Sequence, residues 1–174
     1  RAKKGTAVMK LDTDDQLVGV YLSMNDEDKI FIASSSGNYN FYELNELSTT
    51  GRLTKGVKAI KLTSEEYIRA ATLVKKDIEY QGLLTITTTG KGKITKVEDF
   101  NTTSRAIKGP QVMALKDENL ATIFAVPKSQ EKIFITTNNK AVLLNIDSIP
   151  IQNRVTSGVR IIDARGIESE IEIM

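Results

Sequence analysis

The chain has 174 residues and a formal net charge of +2 at pH 7, with 40% hydrophobic and 26% charged residues, a composition that indicates a globular chain and excludes a disordered one. It contains neither Cys nor His, which excludes disulfides, His-based triads, Cys nucleophiles and most zinc sites. No apolar run reaches the roughly 20 residues that a membrane helix needs, so we expect a cytoplasmic chain with no membrane partner. The first residue is Arg1 and not Met, so we expect a piece of a longer protein.

A basic pentapeptide returns along the chain at a nearly constant interval. It reads RAKKG at residues 1–5, RLTKG at 52–56, RAIKG at 105–109 and RVTSG at 154–158, where Ser157 takes the place of the lysine. Its glycines are separated by 51, 53 and 49 residues, and a fixed period of this length indicates a repeat architecture. We therefore predict one propeller-like domain fragment, residues 1–174, with repeats at 1–51, 52–104 and 105–153 and a partial repeat at 154–174.

Each predicted repeat contains up to four runs whose composition is typical of half-buried β-strands. The first run follows the glycine, at residues 6–11, 57–62, 110–115 and 159–164. The second lies at 17–24, 67–74 and 120–127. The third lies at 29–37, 82–90 and 132–140, and the fourth at 38–47, 91–100 and 140–149. Segment 63–76 has some features of a helix start, but its place in the repeat predicts a strand.

Turn residues join the third run of each repeat to the fourth. Gly37, Gly90 and the pair at 138–139, both Asn, are the residue types that tight hairpins need for positive φ. A single four-stranded sheet cannot bury both of its faces, so successive sheets must stack. The sequence therefore predicts an all-β fold, a propeller-like array of four-stranded antiparallel blades with about three and a half repeats, and leaves open whether the ring closes.

None of the motifs along the chain predicts chemistry. Residues 87–95 partly resemble a phosphate-binding loop, but Gly90 and Gly92 are too close together and Ile94 stands where that loop needs a hydroxyl. The acidic run at 11–17 lacks the glycine of a calcium loop, because Leu17 occupies its position. We therefore predict no catalytic residue, no metal site and no cofactor in this chain.

The repeated basic charges predict a rim that binds duplex DNA. Equivalent positions of successive blades lie around one rim of a propeller-like array, so the cations should form a curved row. The predicted DNA-binding residues are Arg1, Lys3, Lys4, Arg52, Lys55, Lys58, Lys91, Lys93, Arg105, Lys108, Lys140 and Arg154. The acidic residues within 12–15, 26–28, 65–66 and 117–118 are expected on another face. Such a row suits sequence-independent binding and bending of DNA, because each neutralised phosphate adds affinity.

Two alternatives remain open on the residues alone. The pentapeptides can be solvated connectors whose charges only keep the blades soluble. The array can also be a propeller-type protein–protein interaction module without DNA binding, although the absence of Trp removes the WD dipeptide of WD40 repeats.

The order of these segments resembles a known family over essentially the whole chain. F-I-T-T-x-x-[GK], present at 134–140, is joined to a basic hairpin, a strand ending in Leu or Phe, and R-x-x-K-G-[VP]. This order is similar to that in the C-terminal domain of the A subunit of bacterial type IIA topoisomerases, DNA gyrase and topoisomerase IV. The resemblance implies a β-pinwheel, in which neighbouring blades exchange strands and a basic perimeter bends or wraps DNA.

A further part of the resemblance concerns the box Q-R-R-G-G-K-G of gyrase. Arg1, Lys4 and Gly5 match its end, while Ala2 and Lys3 replace its two glycines, a departure that favours a topoisomerase IV-like subunit. The resemblance implies three partners, which are double-stranded DNA, the rest of the A subunit, and the ATPase B subunit of a heterotetramer. The parent would be an ATP-dependent type II topoisomerase with its catalytic tyrosine, ATP and Mg²⁺ in other domains, while this chain positions DNA for strand passage and control of supercoiling.

Overall fold

The computed structural model describes residues 5–137 and 140–163 and the backbone of residues 172–173. The strands are β1 (Lys29–Ser34), β2 (Tyr39–Glu43), β3 (Ile68–Val74), β4 (Tyr80–Thr87), β5 (Lys91–Thr95), β6 (Leu120–Pro127), β7 (Lys132–Thr136), β8 (Ala141–Asn145), β9 (Val159–Arg160) and β10 (Glu172–Ile173). One-turn 3₁₀ helices at Leu44–Glu46, Val97–Asp99 and Ile146–Ser148 follow β2, β5 and β8. None of the described helices is long and apolar enough to cross a membrane. The all-β fold class is confirmed.

The predicted third and fourth runs form antiparallel hairpins, β1–β2, β4–β5 and β7–β8. Gly37 has a φ of 80° and Gly90 a φ of 84°, the left-handed conformation that the turn requires. Each of these glycines donates its N–H to the last residue of the preceding strand, at 2.9 Å, so the turn closes on itself. The third predicted turn, 138–139, lies outside the described residues.

Strands are exchanged between repeats. β3, from the second repeat, pairs with β1 of the first, and β6, from the third, pairs with β4 of the second. β9 pairs with the outer edge of β5, so this sheet has the order β6-β4-β5-β9, whereas the other two sheets are three-stranded, β2-β1-β3 and β10-β7-β8. The prediction that four consecutive runs form one blade is therefore wrong, because each hairpin takes its edge strands from later repeats, as the family resemblance implied.

The sheets stack and bury a hydrophobic core at each interface. Phe31 and Phe41 of the first sheet pack with Leu83 and Ile123 of the second. A second cluster, which includes Leu84, Ile86, Ile133 and Ile135, lies between the second and third sheets. Ile30 and Ile32 alternate with Phe31 along β1 and join a third cluster on the outer face of the first sheet. The central strands thus bury both faces, which explains their nearly continuous apolar sequences.

Two groups of predicted strands differ from the structure. Within the described residues, the first runs contribute only single bridges, Met9 to Thr54 and Gln111 to Asn38, and the two-residue strand β9. Residues 17–24 form no strand, and Leu22 there is 82% exposed. Their counterparts β3 and β6 pair with the hairpin of the preceding repeat, whereas residues 17–24 belong to the first repeat of this chain.

Candidate nucleic-acid interface

Each of the two later pentapeptides forms a bulge in a chain segment that runs along the outer edge of a hairpin. Before residues 105–109, Thr103 donates its N–H to Phe41 at 2.7 Å, and after them Pro110 accepts the N–H of Tyr39 at 2.9 Å. Before residues 154–158, Gln152 donates to Ile94 at 2.8 Å, and after them β9 pairs with β5. The pentapeptides thus protrude from equivalent places on two successive blades.

The glycine that ends each of these two pentapeptides lets the chain return against the hairpin. A Cβ on Gly109 would lie 1.7 Å from the carbonyl oxygen of Tyr39, a distance that no side chain can occupy. Gly158 has a φ of 75°, and a Cβ there would lie 2.8 Å from the carbonyl oxygen of Gly92. Glycine is therefore a steric requirement of the bulge.

The arginine of each later pentapeptide links it to the repeat before it. Arg105 donates from Nη1 to the carbonyl oxygen of Lys58 at 2.7 Å, and Arg154 donates from Nη1 to that of Gln111 at 2.5 Å. Lys58 and Gln111 each lie two residues after the glycine of the preceding pentapeptide, so the two bonds are equivalent. Both arginines are half-buried. A guanidinium has five N–H donors, so this bond leaves further donors for a phosphate.

The predicted lysines at 55, 58 and 108 are exposed, together with Arg52. The Lys55 ammonium lies 2.5 Å from the Asp12 carboxylate, and both side chains are more than half exposed, at 57% and 67%. A pair exposed in this way is weak, so Lys55 can exchange Asp12 for another anion. Lys140 is also exposed and donates to the carbonyl oxygen of Asp163 at 3.4 Å. The predicted residues Arg1, Lys3 and Lys4 lie outside the described residues.

Lys91 is engaged by an acidic residue at the tip of the second hairpin. Its ammonium is paired with Glu118, which also accepts a hydrogen bond from Thr89 Oγ1 at 2.7 Å. Burial raises the pKa of the Glu118 carboxyl, but hydrogen bonds from Lys91, Thr87 and Thr89 outweigh burial and lower the pKa to about 2. Most of the charge of Lys91 is thereby neutralised within the protein.

An equivalent carboxylate at the tip of the first hairpin was missed by the sequence reasoning. Ser36 donates to Glu66, and this bond, helped by Thr63 and by the charge of Lys108, lowers the pKa of Glu66. The signal was present, because the hydroxyl-rich turns before Gly37 and Gly90 are followed by Glu66 and Glu118 at the same distance to within one residue. In each case the carboxylate ties the entry of the exchanged strand to the hairpin tip.

Contrary to the prediction, Lys93 does not lie on the surface. Its side chain is fully buried, and Nζ donates to the carbonyl oxygens of Asn153 at 2.6 Å and Arg154 at 2.7 Å and to Thr156 Oγ1 at 3.2 Å. Burial, followed by the nearby charge of Arg154, lowers the pKa of the Lys93 ammonium to about 8, while Asp99 acts in the opposite direction. Lys93 therefore supports the loop from below and has no surface to offer a phosphate.

The expectation that acidic residues lie on a separate face is also corrected. Asp12 is paired with Lys55 and Glu118 with Lys91, so acidic groups lie among the predicted contacts. With Lys91 and Lys93 set aside, the predicted contacts that lie at the surface of the described residues are Arg52, Lys55, Lys58, Arg105, Lys108, Lys140 and Arg154, which we call the basic rim. Among the described residues, no group of three or more Asp or Glu side chains could hold a metal ion.

Comparison with known proteins gives consistent matches. The family model described as the DNA gyrase C-terminal domain, beta-propeller, matches residues 1–23, 28–75, 83–127 and 133–166. The DNA gyrase A subunit of Ureaplasma parvum is 32% identical over 94% of this chain and 19% of its own length, and that of Helicobacter pylori is 30% identical over 94% of this chain and 20% of its own. The chain thus spans about a fifth of the length of these relatives. The preference for a topoisomerase IV-like subunit that the partial box suggested stays a prediction.

Solved structures show the same fold. The C-terminal domain of DNA topoisomerase IV superposes with a TM-score of 0.81 at 21% identity, covering 96% of this chain and 52% of the other. The DNA gyrase A C-terminal domain superposes with a TM-score of 0.66 at 22% identity, covering 78% of this chain and 44% of the other. At these identities the likeness establishes the architecture alone.

Proposed function

We propose that this chain, which belongs to the family of DNA gyrase C-terminal domains, binds duplex DNA without sequence preference. It bends or wraps that DNA as part of a type II topoisomerase. It contributes no catalytic group. Its role in the parent A subunit is to hold a DNA segment where strand passage can use it, and so to influence DNA topology.

The observation that carries this proposal is the repetition of one loop geometry on successive blades. Residues 105–109 and 154–158 protrude from equivalent edges, and the same type of bond through Arg105 or Arg154 ties each to the preceding repeat. Cations that recur at fixed places on a rigid scaffold match a polyanion whose charges also recur at fixed intervals. This regularity favours a nucleic acid over a protein partner.

The basic rim can act on DNA through two kinds of contact. The lysines at 55, 58 and 108 offer mobile point charges, whereas Arg52, Arg105 and Arg154 offer directed N–H donors to phosphate oxygens. About six such contacts would give a salt dependence with a slope near −5. Bending a site of 20–30 base pairs costs on the order of 1–6 kcal/mol, which contacts spread along a curved row can offset.

The remaining partners follow from the parent enzyme. We place the catalytic tyrosine in the rest of the A subunit, and ATP with Mg²⁺ on the other parts of an assembly that includes the ATPase B subunit. The whole assembly would work in the cytoplasm, where bacterial DNA lies.

The proposal is tested by duplex binding across a salt series. Fluorescence anisotropy with a labelled duplex of about 30 base pairs compares the wild-type chain with R52A/K55A/R105A/K108A. The control K75A/K76A/K128A/K132A removes four exposed cations that lie outside the pentapeptides, after β3 and β6 and at the start of β7. We expect the rim variant to lose roughly one unit of salt slope per removed phosphate contact, and the control to bind as the wild type does.

Two results would refute the proposal. Weak binding that ignores the rim substitutions would leave the loops as connectors and favour a protein-interaction module. Equal losses in the rim and control variants would show only a dependence on net charge.

A further inference from the structure

One position on the outer strand of a hairpin lies beneath the basic loop that crosses it, and we call this position the slot. In the first hairpin the slot holds Asn40 and in the second it holds Lys93, each three residues after the turn glycine. Both side chains are fully buried. Asn40 donates from Nδ2 to the carbonyl oxygen of Ile107 at 3.1 Å, and Lys93 donates to those of Asn153 and Arg154. Both slots therefore hold the backbone of the loop above them.

The slot and its loop differ between the two blades in a correlated way. The loop above Asn40 contains Arg105 and Lys108, whereas the loop above Lys93 contains Arg154 but has Ser157 where the lysine stands in the other copies. Each combination of loop and slot thus contains one arginine and one lysine. In the first blade this lysine is Lys108, whose side chain is exposed, and in the second it is Lys93, whose side chain is buried.

We propose that Lys93 positions the Arg154 loop from below and excludes a lysine at position 157. Ser157 lies between Thr156, whose hydroxyl is 3.2 Å from the Lys93 ammonium, and Gly158, whose backbone packs against Gly92. Ser157 is half-buried and Lys93 is fully buried, so a second ammonium at position 157 would lie close to Lys93 and Arg154, where water screens the charges only in part. Like charges repel strongly under those conditions, and the buried Lys93 ammonium has no carboxylate among its hydrogen-bond partners.

This inference adds to the proposed function an asymmetry along the basic rim. The loop at 105–109 offers an arginine and a lysine to phosphate, but the loop at 154–158 offers the arginine alone. Where DNA leaves the second blade, the protein would hold it by one contact fewer. This last step, unlike the coupling between positions 93 and 157, rests on the proposed function.

The test is a double-mutant cycle of S157K, K93N and S157K/K93N, where K93N copies the slot of the first blade. Thermal unfolding at pH 7 measures the coupling, with T49K as a matched addition of an exposed charge and K132N as a matched removal of an exposed lysine. We expect S157K to lower the unfolding midpoint by at least about 3 °C when Lys93 is present and by less than about 1 °C in the K93N background. Hydrogen exchange of amides 153–158 should rise in K93N and not in K132N.

Binding of the same duplex then tests the consequence for DNA. S157K/K93N restores the full pentapeptide and should have a salt slope steeper by roughly one unit than that of K93N. A midpoint change for S157K that is equal in both backgrounds would overturn the inference, as would unchanged exchange at 153–158 in K93N. Because unfolding and exchange require no DNA, a chain that failed to bind DNA would refute the proposed function and leave the coupling between positions 93 and 157 to be decided on its own.

Discussion

Replacing Glu118 by glutamine should remove one of the strongest electrostatic contributions to the stability of this fold. The Glu118 side chain is only 12% exposed, accepts hydrogen bonds from Lys91 and Thr89, and lies where the third repeat enters the sheet of the second. Glutamine keeps the shape of the side chain but lacks the charge. The substitution therefore tests the electrostatic interaction separately from packing.

The magnitude follows from the ionisation of the carboxyl. Its pKa falls from an ordinary value of 4.5 to about 2 in the folded chain. At about 1.4 kcal/mol per pH unit, the ionised group contributes roughly 3 kcal/mol to the free energy of unfolding. Because the folded pKa is the lower one, this contribution is fully present above pH 4.5 and is lost as the pH falls from 4.5 to about 2.

Urea unfolding at a series of pH values measures this contribution. At pH 7 we expect E118Q to be less stable than the wild type by about 2–3 kcal/mol, and we expect the two curves to converge as the pH approaches 2. The control E65Q changes an exposed carboxylate close to the equivalent Glu66 and should alter stability by less than about 0.5 kcal/mol. If the gap between E118Q and the wild type stayed constant from pH 6 to pH 2, the ionised carboxyl would not be the source of the stability, and the reasoning would fail.

Two further predictions concern Lys93 and Gly109. The pKa of Lys93 is lowered from 10.5 to about 8, so between pH 8 and pH 10.5 the unfolded chain binds more protons than the folded chain. In that range, the stability of the wild type measured by urea unfolding should rise with pH relative to that of K93M. Parallel curves for the two proteins would contradict a buried ammonium. G109A places a Cβ 1.7 Å from the Tyr39 carbonyl oxygen and should lower the free energy of unfolding by roughly 3 kcal/mol or more. The control is G51A, where the new Cβ meets nothing within 4 Å, and the same assay should give a free energy of unfolding within about 0.5 kcal/mol of the wild type.

Local signals in the sequence predicted the parts of the fold that depend on local chemistry. The hairpins followed from Gly37 and Gly90, because few other residues adopt the turn conformation, and the strand at β3 followed from its place in the repeat. Strand exchange could not be read from the residues, since β3 and β6 have the same composition whichever hairpin they join. The 3₁₀ helices after β2, β5 and β8 were missed, because each begins with an apolar residue, and the predicted fourth runs were extended through them.

The candidate site was predicted in type and only partly in position. The pentapeptide identified the loops, but it could not reveal that Lys91 and Lys93 differ in environment, because both belong to one short strand. Lys91 forms an ion pair with Glu118, and Lys93 donates hydrogen bonds to the carbonyl oxygens of Asn153 and Arg154. These partners belong to later repeats. The charge pattern of a repeat protein is therefore incomplete until the exchange of strands is known.

Strand exchange also explains why the loops of this chain can form a preorganised surface. The loop at 105–109 lies on the hairpin of the first repeat through Asn40 and is tied to the second through the bond from Arg105 to Lys58. The loop at 154–158 is held in the same manner by the second and third repeats, through Lys93 and through the bond from Arg154 to Gln111. A loop held by residues of two repeats has little conformational freedom of its own, so the positions of its cations are set by the packing of the fold. If the chain binds duplex DNA as proposed, the more easily deformed partner would then be the DNA.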